Sequence, residues 1–180
     1  KNAQAHGIYA FMKHFAMNDE EDGRLAQMHT WSNEQAMREI YLKPFEMSVK
    51  DGGSRATMSA FNYVGNTWAG ANKNLLVNVL RNEWGFNGFV LTDYFGGYGY
   101  MDATESIYNG GNGMLATVKT TNEVSDDSAA TVSHLREAAH GVLYAAVNTY
   151  LYANGAPKAS VATWQWIYYV VVAVIALLLL

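Results

Sequence analysis

Apolar runs that end in polar residues alternate along the chain with stretches whose apolar positions recur at helical spacing. Gly7-Ile8-Tyr9-Ala10-Phe11-Met12 is almost wholly apolar before Lys13-His14 breaks it, which predicts a first strand over His6–Phe15. A polar, acidic loop follows, from Asn18 to Arg24, and then Ser32-Asn33-Glu34-Gln35, a helix start whose Ser or Asn can accept from exposed amides. Met37, Ile40, Tyr41, Phe45 and Met47 fall roughly on one face of that helix, with Pro44 kinking or restarting it and Gly52-Gly53 ending it. A second strand is predicted over Arg55–Phe61 and a second helix over Asn72–Glu83, with Gly85 suited to a left-handed cap. The third strand runs from Phe89 into Asp93. A short helix after Asp102, a short strand Gly113–Ala116, a polar loop Thr120–Ser128 and a closing helix Val132–Asn154, stopped by Gly155-Ala156-Pro157, complete the body.

Strand, helix, strand, helix at this spacing means βα units on a parallel sheet. The fold class is α/β, and about four units make roughly half of a (β/α)8 barrel, whose full length is about 250 residues. The expected organisation is a half-barrel over residues 1–157 followed by a membrane anchor over 158–180. A chain of 180 residues that starts at Lys1 and carries half a barrel reads as a piece of a larger domain, and its open sheet edges predict poor stability alone. Asp93 closes an apolar run, Phe89-Val90-Leu91-Thr92, at the strand end where α/β barrels keep their chemistry. Position alone leaves two readings of it, a turn cap and a catalytic carboxylate.

The net charge of −4 comes with no basic stripe, which argues against nucleic acid as a partner. With no cysteine, disulfides, thiolate metal sites and Cys nucleophiles are excluded. Asn18-x-Glu20-x-Asp22-Gly23 imitates the start of a calcium loop, but His29 stands where a bidentate Glu is needed, so a solvated acidic loop is the simpler reading. Glu137-x-x-His140 is a single copy of a di-iron spacing that needs partner carboxylates, and no metal or cofactor is implied.

Arg38-Glu39-Ile40-Tyr41-Leu42-Lys43-Pro44-Phe45-Glu46, Met58-Ser59-Ala60-Phe61-Asn62 and Leu80-Arg81-Asn82-Glu83-Trp84-Gly85-Phe86-Asn87-Gly88-Phe89-Val90-Leu91-Thr92-Asp93-Tyr94 together resemble glycoside hydrolase family 3, the β-glucosidase family. The resemblance runs from about Gly7 to Asn154 and implies that residues 1–157 are the C-terminal half of the family's barrel domain. It implies a retaining β-glycosidase in which Asp93 is the nucleophile that forms a glycosyl-enzyme ester, with a second carboxyl group as acid/base in a domain outside this chain. Lys13 and His14 match the family's K-H-F motif, which hydrogen-bonds sugar hydroxyls, and Arg24 matches the arginine that follows it. Without the family, Lys13-His14 would be an ordinary solvated strand end.

Two positions depart from the family pattern: Phe61 stands for the usual Tyr and Tyr94 for the usual Trp after the nucleophile. Both flank the expected sugar site, so they bear on substrate preference more than on reaction type. The expected substrate is a β-glucoside or related carbohydrate, and the expected partners are the missing barrel half and the acid/base domain. An N-acetylhexosaminidase is disfavoured because Lys13-His14-Phe15-Ala16-Met17-Asn18-Asp19 lacks the His of that branch's loop. A catalytically inactive carbohydrate-binding or membrane-scaffold protein is the alternative from another class.

The tail Val161–Leu180 carries no charge, and Trp164, Trp166, Tyr168 and Tyr169 cluster at one end. About 20 apolar residues suffice to span a bilayer, so a transmembrane helix is expected, with the catalytic domain extracytoplasmic.

Overall fold

The computed structural model describes residues 1–96, 98–117, 123–155 and 161–179. A single turn, α1 (Asn2–Ala5), precedes β1 (Phe11–Phe15). The expected strand therefore starts later than His6, because Gly7 adopts φ +85°, a left-handed conformation that breaks an extended run. The acidic loop leads to a two-residue strand, β2 (His29–Thr30). Asn33 then starts α2 (Glu34–Ala36), its side chain accepting from the Ala36 amide at 2.8 Å. A π-helical turn, Met37–Tyr41, passes into α3 (Lys43–Lys50), with Pro44 in the first turn where its missing N–H costs nothing.

β3 (Ala56–Ser59) is followed by the short strands β4 (Tyr63–Val64) and β5 (Thr67–Trp68) and by a π-helix, Asn74–Glu83. β6 (Phe89–Tyr94) carries Asp93. α4 (Ala103–Tyr108) is capped by Asp102, which accepts from the Glu105 amide at 2.8 Å, and β7 is Gly113–Leu115. The closing helix is two pieces, α5 (Ala129–Val147) and α6 (Tyr150–Asn154), because Thr149 turns extended and caps the second with its hydroxyl, 3.2 Å from the Tyr152 amide. Gly97, residues 120–122 of the polar loop, Ala156-Pro157 of the stop signal, residues 158–160 and Leu180 lie outside the described residues.

The main sheet has order β1-β3-β6-β7 with every pair parallel, so all four C-terminal ends emerge on one side. Aligned partners are Phe11, Ala56 and Phe89, then Met12, Thr57 and Val90. Beyond those rows β1 advances from Met12 to Phe15 while β3 advances only from Thr57 to Ser59, and β6 advances from Leu91 to Tyr94 while β7 advances from Gly113 to Leu115. Each of β1 and β6 thus carries an extra residue near its C-terminal end, where a bulge re-aims side chains. A second, three-stranded sheet has the order β2-β4-β5, and its two-residue strands are too short to show periodicity in the sequence.

The core on the helical side joins Phe15, Leu42, Leu76, Leu80, Trp84 and Val90. Phe15 packs edge-on against Phe45 at 5.2 Å and Trp84 at 5.9 Å, geometry that aromatic quadrupoles favour. A second cluster, around Phe61, Trp68, Phe95 and Met101, lies beside the strand ends. Trp68 donates to the Ala60 carbonyl at 3.1 Å and the Tyr100 hydroxyl to the Phe61 carbonyl at 3.0 Å, which fixes the backbone just after β3.

The membrane-spanning helix expected of the tail is not present in that form. α7 runs over Thr163–Leu178, 16 residues, and among the described residues no helix is long and apolar enough to cross a membrane. At about 1.5 Å per residue it is roughly 24 Å long, short of the roughly 30 Å hydrocarbon core. Counting apolar residues from Val161 overstated the span because the helix starts at Thr163.

Asn112 ties the layers together. Its side-chain oxygen accepts from Arg81 and from the Val90 amide, both at 2.7 Å, and its amide nitrogen donates to the Ala138 carbonyl at 2.9 Å. One side chain therefore links the π-helix, β6 and α5. Asn112→Ala removes three bonds worth about 1 kcal/mol each and should lower the stability of the intact protein by about 3 kcal/mol in urea unfolding. A loss below about 1 kcal/mol would mean that water replaces the side chain without penalty.

Candidate active site

Asp93 is the penultimate residue of β6 and is 8 % exposed. Its Oδ1 accepts from the Tyr94 amide at 2.7 Å, and its Oδ2 lies 3.2 Å from Nε2 of His14. His14 comes from β1, which is not a neighbour of β6: β3 lies between them. Strands two places apart are roughly 10 Å apart, so both side chains lean over the end of β3 to meet. That is the layering of a (β/α)8 barrel, in which alternate strands contribute the side chains of one layer. The residues at the end of β3 leave room for it, since Ser59 and Ala60 are small and fully buried.

The His14 pKa is lowered from its ordinary value of 6.5, first by burial and then by the Lys13 and Arg24 charges, against the opposing pull of Asp93 and the smaller one of Glu21. At neutral pH His14 is therefore a neutral donor or acceptor and not a standing cation. Its Nδ1 is 3.4 Å from the Asn18 amide nitrogen. Lys13 is exposed at the same strand end.

Arg24 comes from the loop between β1 and β2, and its NH1 donates to Asn18 Oδ1 at 2.8 Å and to Glu21 Oε1 at 2.7 Å. Its guanidinium lies 5.0 Å from the centre of the Phe61 ring, a cation–π contact that holds it over the end of β3. Phe61 itself is buried and meets Tyr98 edge-on at 5.6 Å. Tyr94 is exposed, and its hydroxyl pairs with the Thr117 hydroxyl at 2.9 Å, on the β7 side.

His14 and Asp93 therefore meet directly, Arg24 and Phe61 pair beside them, and Lys13 acts on His14 through its charge. Tyr94 joins that group only through its backbone amide, its side chain being turned to Thr117. The sequence reading missed Asn18 and Glu21, which it left in a solvated acidic loop; the signal available was their placement three residues apart and just ahead of Arg24. A cavity of about 310 Å³ lies behind His14, lined by Asn18, Glu21, Tyr41 and Phe45 among others. Another cavity, about 470 Å³, surrounds Arg81 near the N-terminal end of β6. Arg81 there donates to the Phe86, Gly88 and Gly110 carbonyls and to Asn112, which gives it a structural role.

A carboxylate held at a parallel-sheet end, with a neutral imidazole on one oxygen and two cations nearby, offers acceptors and donors side by side, as a polyhydroxylated ligand requires. Residues 1–150 match the model described as the glycosyl hydrolase family 3 N terminal domain, and the chain belongs to that family. It is 43 % identical over 103 residues to β-glucosidase B of Emericella nidulans and 44 % identical over 95 residues to a β-glucosidase of Rhizobium radiobacter. These matches cover 57 % and 53 % of this chain and 12 % of each relative, so the chain spans about an eighth of their length. Among solved structures it is similar to β-glucosidase 3B from Thermotoga neapolitana in complex with glucose, with TM-score 0.72 and 29 % identity over 86 % of this chain and 23 % of that one. It is also similar to the family 3 β-glucosidase of Bifidobacterium adolescentis, with TM-score 0.73 and 26 % identity over 88 % and 23 %.

The lowered pKa of His14 has a consequence for stability. Between that value and 6.5 the folded protein binds fewer protons at this site than the unfolded chain does. The stability contributed by the buried neutral ring is thus present above about pH 6.5 and is lost as the pH falls through that window. The difference in unfolding free energy between the intact protein and its His14→Gln variant should shrink as the pH is lowered from about 7.5 to about 5. A difference that stays constant or widens would show that His14 is not held neutral.

Proposed function

We propose that this chain carries the nucleophile and part of the sugar-binding surface of a retaining β-glycosidase that acts on β-glucosides. The observation that carries the reading is the contact between Asp93 and His14, two residues from non-adjacent strands brought together at the C-terminal end of a parallel sheet. It is supported by the relatives, which bear the name β-glucosidase, one of them solved with glucose.

In this account the Asp93 carboxylate attacks the anomeric carbon as the bond to the leaving-group oxygen breaks, giving a glycosyl ester. A second carboxyl group, supplied by a part of the intact protein beyond this chain, protonates the leaving oxygen and then deprotonates the water that cleaves the ester. Lys13, His14 and Arg24 donate to sugar hydroxyls, His14 as a neutral imidazole and the other two as cations. Phe61 offers a ring but no hydroxyl next to the sugar, and Tyr94 replaces an indole with a smaller phenol, so both tune which glycoside is preferred. The catalytic body is proposed to work outside the cytoplasm, where polymeric glycosides are met; digestion by external protease on intact cells supports this and full protection contradicts it.

The activity test uses the intact protein and a chromogenic aryl β-glucoside. Asp93→Gly should lower kcat by several orders of magnitude, given that enzymatic accelerations of about 10⁶-fold or more rest on such groups, with KM changed far less. Turnover within about tenfold of the unaltered protein would remove Asp93 from the chemistry.

A further inference from the structure

The loop between β1 and β2 contains a closed set of hydrogen bonds that the reaction above does not use. Asn18 Oδ1 accepts from Arg24 at 2.8 Å, Asn18 Nδ2 donates to Glu21 Oε1 at 3.0 Å, and Arg24 donates to the same Glu21 oxygen at 2.7 Å. Only one orientation of the Asn18 amide satisfies both neighbours. A guanidinium has only donors and must meet the amide oxygen, while a carboxylate only accepts and must meet the amide nitrogen. That nitrogen also stands 3.4 Å from His14 Nδ1. An NH2 group facing Nδ1 requires a lone pair there, so the imidazole proton sits on Nε2, the nitrogen 3.2 Å from Asp93 Oδ2.

We propose that Asn18 and Glu21 are positioning residues, which hold Arg24 over Phe61 and lock His14 in its Nε2–H tautomer facing Asp93. The chain of cause runs from Glu21 and Arg24, which fix the amide, to Asn18, which fixes the ring, to the proton that His14 presents. In that tautomer His14 donates to the nucleophile, or to a sugar hydroxyl beside it, without becoming a cation that would bind the carboxylate in an ion pair. The groups facing the ring are Asp93 from β6, Lys13 on β1, and Arg24 and Glu21 from the loop. Asp93 and Glu21 favour the imidazolium, and Lys13, Arg24 and burial oppose it. The Asn18 NH2 adds to the opposing side because it leaves no acceptor for a proton on Nδ1. The proposal rests on Asp93 being the nucleophile.

The test is the pH dependence of kcat and kcat/KM for the intact protein, Asn18→Asp and Glu21→Gln on an aryl β-glucoside. Asn18→Asp keeps an oxygen for Arg24 but places an acceptor against Nδ1, so the imidazolium gains a partner and the acid limb of kcat/KM should move up by about one pH unit. Glu21→Gln keeps the shape but lets the Asn18 amide turn, so KM should rise about tenfold while kcat changes less than about threefold. An acid limb and KM unchanged in both variants would overturn the proposal, as would an activity loss equal at every pH with kcat and KM affected alike. If Asn18→Asp does not fold, Glu21→Gln decides by its split between KM and kcat. If the unaltered protein turns over and Asp93→Gly matches it, the reading of the nucleophile fails, and the positioning role falls with it.

Discussion

Everything at the candidate site depends on two irregularities in an otherwise even parallel ladder. β1 and β6 flank β3 and run in step with it through Met12, Thr57 and Val90, then each gains one residue against its neighbour near the C-terminal end. The extra residue falls at Lys13-His14 on β1 and at Thr92-Asp93 on β6. Bulges change the direction of side chains at the positions they occupy. Here they accompany the approach of an imidazole and a carboxylate across an intervening strand whose end is small and buried. The ladder supplies placement along the strands and the bulges supply direction.

Around that contact the polar groups divide by burial. Asp93 and His14 are largely withdrawn from water, and each has both of its polar atoms engaged, which limits the orientations open to them. Arg24 is held from below by an aromatic ring and from the side by Asn18 and Glu21. Such packing and hydrogen bonding keep a long cationic side chain in place without burying its charge in an apolar setting. The cluster of Phe61, Trp68 and Phe95, with the Tyr100 hydroxyl on the Phe61 carbonyl, forms the rigid shelf under this arrangement. Asn62 extends the shelf toward β1, donating to the Met17 carbonyl at 3.0 Å from a fully buried position.

Much of this was legible in the sequence because it follows local rules. The apolar run into Asp93, the caps at Asn33 and Asp102 and the restart at Pro44 lie where their residue types predict. The parallel order followed from the alternation of strands and helices. What stayed hidden depends on contacts distant in sequence or on segments too short for a period. β2, β4 and β5 have two residues each, and their pairing across the loops leaves no alternation to read. The break at Thr149 is a cap inside an apolar helix, where periodicity continues on both sides. The acidic loop is solvated at Glu21 as expected, but its hydrogen bonds stayed hidden because composition cannot show that Arg24 folds back to meet Asn18 and Glu21. The tail read as a full span because its apolar residues outnumber those that become helical.

The central claim is that Asp93 is the group that becomes bonded to the sugar. The most direct measurement is to incubate the intact protein with a 2-deoxy-2-fluoro glucoside bearing a good leaving group, whose fluorine slows both steps while the leaving group lets the first proceed. Peptide mass mapping should then find one added sugar on the peptide that contains Thr92-Asp93-Tyr94, and none there after Asp93→Gly. A sugar carried by any other carboxylate, or no covalent adduct in a protein that turns the parent glucoside over, would contradict the account.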